Sequence, residues 1–583
     1  MKKKLISALA VGLSCIMLLG GCGNSNNAGS GETSDNGNGN DTQVQEPAGE
    51  ISDATEGYIP GYDPSKNVPA ALNRKDTLVI GVEAPDEVFN PLYAESAYDV
   101  YVVESMFDGM VAVDAGGMAI PNLAEWKVSD DGLTYTFTLK DDLKFWDGSP
   151  LTTADVEFTY TIMCDGSYDG PSDPVNSTKI KGAKAYQEGT ATSVEGIKVI
   201  DEKTIEFTLE EVNADAIYDL SAGIISKAHY GAEYTQGNLD YIKKFHKDPL
   251  GAGQYKFVSS SAGQEVVLEA NENYFLGAPK IKNVIYKVTS ADTRMQMLQS
   301  GEVDMDMATV NKDNVNSLKE AGFLDLHIFP TNGYGYIGMN ISNPKFADPK
   351  VRQALTYGLN RAEIVEASFS GGFADVINTP QSKVSWSYTE PNNKYEFDLE
   401  KAKQLLDEAG WVVGSDGIRE KDGVKFEIKF TASTPNEVNE AIIPIAQQNY
   451  AELGIKFEAE QMDFNAVREK VNSGNFEMFF MAWGLTPSPN PTGTLGTTGS
   501  QNKTFYSNPK VDELCKAGLQ ETDQTKRKEI YAELWQTLNE DLPYIFLYQR
   551  RDMWAVNSRV KGFENQITPY KKFTSSLYKL TLE

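Results

Sequence analysis

The sequence has 583 residues and a formal net charge of -30 at neutral pH. So acidic a chain lacks the basic footprint that a phosphate backbone demands, which excludes nucleic-acid binding. With 40% hydrophobic residues there is ample material for a large core, while the charge itself names no ligand, because an acidic exterior is first of all a solvated one.

The chain begins with Lys2, Lys3 and Lys4, then an apolar run from Leu5 to Gly20. This pattern is a secretory signal, residues 1–21, and not a membrane-spanning helix. Its end, Leu19-Gly20-Gly21-Cys22, resembles the bacterial lipobox, which implies that Cys22 is acylated and becomes the new amino terminus. Residues 1–21 hold three lysines and no acid, so the processed chain carries -33. More than one acyl chain suffices for stable anchoring, which places the protein, lipid-anchored, on the outer face of the cytoplasmic membrane. Residues 22–70 are rich in Gly, Asn, Ser, Asp, Thr and Gln and are expected to form a disordered tether reaching on the order of 40 Å.

Roughly 500 residues follow, enough for two or three packed lobes. Leu133, Tyr135, Phe137 and Leu139 alternate with threonines, and Ile205, Phe207, Leu209 and Phe426, Ile428, Phe430 repeat that period, which predicts half-buried strands. Ala402, Leu405, Leu406 and Ala409 keep helical spacing between a capping Asp398 and a terminating Gly410. A second helix carries Ile530, Tyr531, Leu534, Trp535 and Leu538 on one face. Helices mixed with strands over this length predict α/β lobes.

No reaction signature is present. The three histidines, His229, His246 and His327, are widely spaced, and there is no H-E-x-x-H, C-x-x-C, G-x-S-x-G or Walker loop. Asp165, Asp169 and Asp173 bracket a Gly, Ser and Pro stretch whose spacing misses the EF-hand loop, so it reads as a polar loop. The expectation is a protein that is not an enzyme and uses no cofactor and no metal. Once Cys15 leaves with the signal and Cys22 is lipidated, Cys164 and Cys515 remain, expected as free thiols.

Read in order, the rest of the chain carries a long series of short motifs. Asn90-Pro91 is followed by Phe107-Asp108-Gly109-Met110, Pro121, Leu123, Ala124 and Trp126, then Ser129-Asp130-Asp131-Gly132. Next come Leu143-Lys144-Phe145-Trp146-Asp147-Gly148, Pro150-Leu151-Thr152, and Ala154-Asp155-Val156 with Phe158. Further on stand Pro249 to Tyr255, Asn271, Tyr274, Gly277 and Pro279, then Leu298, Gly301-Glu302-Val303-Asp304, Val351 to Leu355, Asn360-Arg361, Tyr506 to Pro509, Val511-Asp512 and Pro543 to Tyr548. This series resembles solute-binding protein family 5, the large extracellular receptors of oligopeptide, dipeptide and nickel importers. For each motif a scaffold role is expected: Asp147-Gly148 as a turn, Thr153 at a helix start, Gly251 and Gly253 for backbone freedom.

The resemblance implies an α/β fold of two-lobed periplasmic-binding-protein type II, the large cluster C form, with an extra subdomain in the N-terminal lobe. The N-terminal lobe is expected over 71–335, the second lobe over 336–542 and a return over 543–583, with crossings near Tyr334 to Asn340 and Pro543 to Tyr548. Gly335 and Gly338 are expected to let the first crossing bend. It also implies a monomer that closes on a peptide by a hinge and hands it to an ABC permease and ATPase complex. A glycan, a metal complex or a peptide-sensing role are the other readings.

Trp483-Gly484-Leu485-Thr486-Pro487-Ser488-Pro489-Asn490-Pro491 stands where the family has a "W-x-L-x-x-D-P-D-P" pocket loop. The resemblance implies ligand contacts from Trp483, Gly484, Leu485, Thr486, Ser488 and Asn490, with Phe89, Tyr336, Asn340 and Tyr548 added. Ser488 and Asn490 replace aspartates of that pattern, and neither can form the charge-assisted contact that a carboxylate makes with a ligand's α-ammonium. Glu83 or Asp86 is expected to supply the charge, unless the ligand is blocked, cyclic or not a peptide.

Overall fold

The computed structural model describes residues 52–562 and 567–583. Cys22, the signal sequence and the tether up to residue 51 lie outside the described residues. A 13-stranded sheet runs through the whole molecule. Its strands are β1 Gly57–Ile59, β2 Thr77–Val82, β3 Tyr255–Ser261, β4 Glu265–Ala270, β5 Asn283–Val288, β6 Met305–Ala308 and β7 Leu324–Pro330. They continue as β8 Gly333–Met339, β9 Ala374–Val376, β10 Glu427–Ser433, β11 Lys456–Met462, β12 Met478–Gly484 and β13 Tyr544–Asn557. The spatial order is β11-β10-β12-β8-β13-β6-β2-β5-β4-β3, with β7 and β9 also paired to β13 and β1 paired to β7.

The two lobes are the two ends of this sheet. β2 reads Thr-Leu-Val-Ile-Gly-Val and lies between parallel neighbours β5 and β6; such a continuous apolar run suits a strand covered on both faces. In the second lobe β10 pairs in parallel with β11 and β12. β13 supplies both lobes by alternation. Tyr544 and Phe546 join one second-lobe core and Ile545 and Leu547 the other, while Met553 and Ala555, and Trp554 and Val556, do the same in the first lobe. Side chains of period two thus place one strand inside four hydrophobic clusters.

The changeover falls a few residues outside the expected crossings. β7 and β8 run along β13 as a ribbon broken only near residues 331–332, and β13 exchanges β8 and β9 for β6 and β7 between Tyr548 and Arg551. Tyr334 to Asn340 and Pro543 to Tyr548 are already second-lobe chain, because their apolar residues alternate into its cores. Gly335 and Gly338 have a steric use. A Cβ at Gly335 would lie 2.3 Å from the Tyr548 ring and one at Gly338 2.5 Å from the Phe479 ring, so each makes room for an aromatic side chain.

Ordered chain also starts earlier than the expected end of the tether. β1 pairs Gly57 with Ile328, Tyr58 with His327 and Ile59 with Leu326, and Ile59 is buried. One edge strand needs few apolar residues once a neighbour supplies the ladder, which a composition reading of this polar stretch misses.

The extra subdomain of the first lobe holds a four-stranded antiparallel sheet: Ala124–Val128, Thr134–Leu139, Thr204–Thr208 and Ile197–Val199 in spatial order. Tyr135, Phe137 and Leu139 point inward as the threonine alternation predicts. Its helix Thr153–Met163 starts at Thr153 as expected and is capped by Thr152: the Thr152 hydroxyl accepts from the Ala154 N–H, and Asp155 accepts from the Thr152 N–H. In the second lobe Asp398 caps the helix Leu399–Glu408 through the Lys401 N–H, and Gly410 follows at φ 84°. Gly251 and Gly253 serve close packing in place of the expected backbone freedom: a Cβ there would lie 2.1 and 2.3 Å from the backbone of Met106. Cys164 and Cys515 are buried free thiols in different lobes.

Candidate functional site between the lobes

The pocket loop leaves β12 and reaches the seam between the lobes. Its base is fixed to the changeover: the Leu485 N–H donates to the Asn332 carbonyl at 2.8 Å, and Asn332 Nδ2 donates to the Leu485 carbonyl at 2.7 Å. Tyr570, from the returning chain, donates its hydroxyl to Asn332 Oδ1 at 2.8 Å. Gln549 holds the changeover from the other side, donating from Nε2 to the Thr331 carbonyl and to Ser382 Oγ, both at 2.6 Å. Loop and hinge are therefore one hydrogen-bonded unit.

At the tip of the loop the lobes touch. Ser488 Oγ donates to Asp215 Oδ2, and Asp215 Oδ1 accepts from Arg527. Asp215 belongs to the first lobe's extra subdomain; Ser488 and Arg527 belong to the second. The Ala214 N–H donates to the Leu519 carbonyl at 2.7 Å, and the Trp386 N–H to the Gly116 carbonyl at 2.9 Å, so the seam is bridged by backbone as well. Arg527 also donates from Nε to the Gly518 carbonyl at 3.0 Å, and its guanidinium lies 5.2 Å from the Trp386 ring and 5.8 Å from that of Tyr531. Burial alone would lower the Arg527 pKa, but Asp215 and Tyr531 beside it hold it above its ordinary value. Tyr218 across the seam is pushed up to about 12, by burial first and then by Asp215.

The expected site residues separate into two groups. Ser488 is at the seam, and exposed Gly484 and Thr486 with half-buried Leu485 form the loop surface beside it. Asn490 supports the loop from behind, donating from Nδ2 to the Cys515 carbonyl at 2.7 Å and accepting from the Thr492 N–H at 3.0 Å. Trp483 lies parallel to Tyr336, ring centroids 6.0 Å apart, and Tyr336 stacks in turn on Tyr544 at 4.2 Å.

The others lie buried in the packing of the lobes. Tyr336 is buried within that stack, and Phe89 is buried against Phe257 with ring centroids 5.6 Å apart. Tyr548 packs between Phe369 and Phe480. Asn340 is buried and donates from Nδ2 to the Phe476 carbonyl at 3.1 Å while accepting from the Ser342 N–H. Neither expected replacement acid reaches the loop: Glu83 pairs with Arg294 at 2.9 Å, and Asp86 is exposed beyond it. The acid that does is Asp215, and no motif or period marked it, since Asn213-Ala214-Asp215 meets the loop only through tertiary contact. Arg527 and Trp386 were equally unmarked.

Other expected features resolve as structure. Asp165 accepts from the N–H groups of Ser167 and Gly237 and from the Tyr234 hydroxyl, and Asp169 pairs with Lys243. Among the described residues no group of three or more His, Cys, Asp or Glu is placed to hold a metal, and no helix is long and apolar enough to cross a membrane.

Two α/β lobes joined by a shared ribbon, with a ring-lined polar seam between them, define the two-lobed type II fold of periplasmic binding proteins. The chain belongs to the bacterial extracellular solute-binding proteins, family 5, whose model matches residues 119–505. It is 30% identical over 503 residues to the oligopeptide-binding protein AppA of Bacillus subtilis, covering 84% of this chain and 88% of that one. It is 28% identical over 501 residues to heme-binding protein A of Haemophilus influenzae, covering 81% and 86%. The structure of Bacillus subtilis AppA in complex with a nonapeptide matches with a TM-score of 0.64 at 28% identity, over 88% of this chain and 99% of that one.

Proposed function

We propose that this protein is the extracytoplasmic receptor of an ABC importer, capturing peptides between its lobes and delivering them to the permease and ATPase complex. The observation that carries this reading is the seam: a loop tied by hydrogen bonds to the changeover presents the Ser488 hydroxyl to the opposite lobe, so lobe movement and ligand contact are coupled. The match to AppA, described with a nonapeptide, supports a peptide as the ligand. Closure removes water and strengthens hydrogen bonds to the ligand, and it gives the permease a shape that differs between empty and loaded receptor. The reading assigns no chemical step.

The loop from Trp483 to Asn490 forms one wall of the ligand site, with exposed Gly484 and Thr486 offering backbone and hydroxyl groups. The protein works as a monomer, held on the outer membrane face by a lipid on Cys22 and a tether ending before β1. The test is native mass spectrometry of the chain lacking residues 1–22, purified from peptide-rich medium, followed by denaturation to identify the cargo. Co-purified peptides support the reading. A heme, a sugar or a metal complex in their place overturns the peptide class and leaves the receptor role standing.

A further inference from the structure

The pocket loop carries no acid, yet a carboxylate sits at the Ser488 hydroxyl. It arrives from the opposite lobe as Asp215, already paired with Arg527. Both side chains are largely hidden, 11% and 4% exposed. Parting the lobes would break the pair.

The environment of the pair is well matched. Asp215 receives a hydroxyl and a guanidinium on separate oxygens, and Arg527 has the Gly518 carbonyl and two aromatic rings in addition. Burying an ion pair is rewarded only when such further contacts satisfy both partners. The two charges also cancel locally. A ligand ammonium approaching Ser488 therefore meets a carboxylate already neutralised by the protein's own cation.

We propose that the Asp215–Arg527 pair takes the part of a ligand's terminal charge: it supplies from within the protein the charge-assisted contact that draws the lobes together. Capture is then indifferent to whether a ligand's amino terminus is free or blocked. This rests on the seam being the ligand site, and its test has an arm that needs no ligand.

The chain lacking residues 1–22 is stripped of cargo by unfolding and refolding, and X-ray scattering is recorded for wild type, D215N, R527Q and the reversed pair D215R/R527D. Calorimetry then uses a synthetic nonapeptide pool in two forms, with free and with acetylated amino termini. The expected results are a larger ligand-free radius in both single variants, recovery in the reversed pair, and wild-type affinities for the two pools within about threefold. D215N should weaken both pools on the order of 30-fold and by equal factors, and R527Q should weaken the acetylated pool as much. R527K, which keeps the charge and loses the fork, serves as the folded control and should fall between.

Unchanged radius and affinity in both single variants would overturn the latch. A wild-type preference for free amino termini above about tenfold would show that Asp215 binds the ligand instead. If neither pool binds, the peptide reading fails while the radii still decide the latch.

Discussion

Replacing Asp304 by Asn should be among the most damaging single changes in the first lobe. Asp304 is fully buried and accepts four hydrogen bonds: from Arg559 Nε and Nη2, each at 2.8 Å, from Arg74 Nη2 at 2.8 Å and from the Val79 N–H at 2.9 Å. Two separated stretches of chain meet on this carboxylate: the lead-in to β2 together with β2 itself, and the segment returning from β13. An amide keeps the shape but removes the charge and turns one acceptor into a donor facing guanidinium N–H groups. Arg559, 2% exposed, is then a buried cation without a counterion. Breaking a buried pair in this way costs about 3–5 kcal/mol, which for a unit of lobe size lowers the melting temperature by roughly 10 °C. Differential scanning calorimetry of the chain lacking residues 1–22 measures it. Adding Arg559→Gln to Asp304→Asn should cost less than the sum of the two changes, because one partner's loss already strands the other. A single-variant shift below about 2 °C would refute the reasoning.

Three further outcomes follow from the same structure. Gly335→Ala forces the Tyr548 ring away from 2.3 Å and should lower stability by about 1–3 kcal/mol in chemical denaturation, with a change in ligand affinity if the changeover moves with it. Gln549→Leu leaves the Lys383 N–H without its side-chain acceptor and the Thr331 carbonyl with the Ser382 hydroxyl as its remaining side-chain donor, at a 2% exposed position; a loss of about 1–3 kcal/mol and a broadened distance distribution between spin labels on the two lobes are expected. Asp306, whose pKa burial raises to about 6 against the opposing pull of Arg294, holds its proton more tightly folded than unfolded. Its contribution therefore favours the folded state at low pH and is lost as pH rises from about 4 through 6, so Asp306→Asn should flatten that part of the stability profile; an unchanged slope would count against this.

Much of the fold was legible because it rests on local periods. The threonine alternation around Tyr135 and Phe137, the Asp398 cap and the apolar face of the helix Gln524–Asp541 each announce themselves within a dozen residues. That the loop Trp483–Pro491 reaches the seam was not legible from any physical pattern in the loop. What the chain did not reveal are contacts between distant stretches. Asp215 and Arg527 are 312 residues apart, and nothing near either one signals a partner. The glycines teach the same lesson: Gly335 and Gly253 look like points of backbone freedom, and are spaces kept clear for Tyr548 and Met106. The changeover was misplaced by a few residues because a strand that crosses from one core to another keeps the same alternation throughout.

That uninterrupted strand bears on how the receptor can move. β13 runs from Tyr544 to Asn557 with partners along its length, and β7 and β8 follow it as nearly one strand. The joint is thus a twisted two-stranded band and not a pair of slack tethers, and such a band behaves as a torsion spring. Opening must wind or unwind it as a whole, so the travel is limited, the path is repeatable, and relaxed recoil costs the molecule no search through coil conformations. A protease would find no loose cord to cut between the lobes, and the second lobe could not drift out of register while its cargo is handed on.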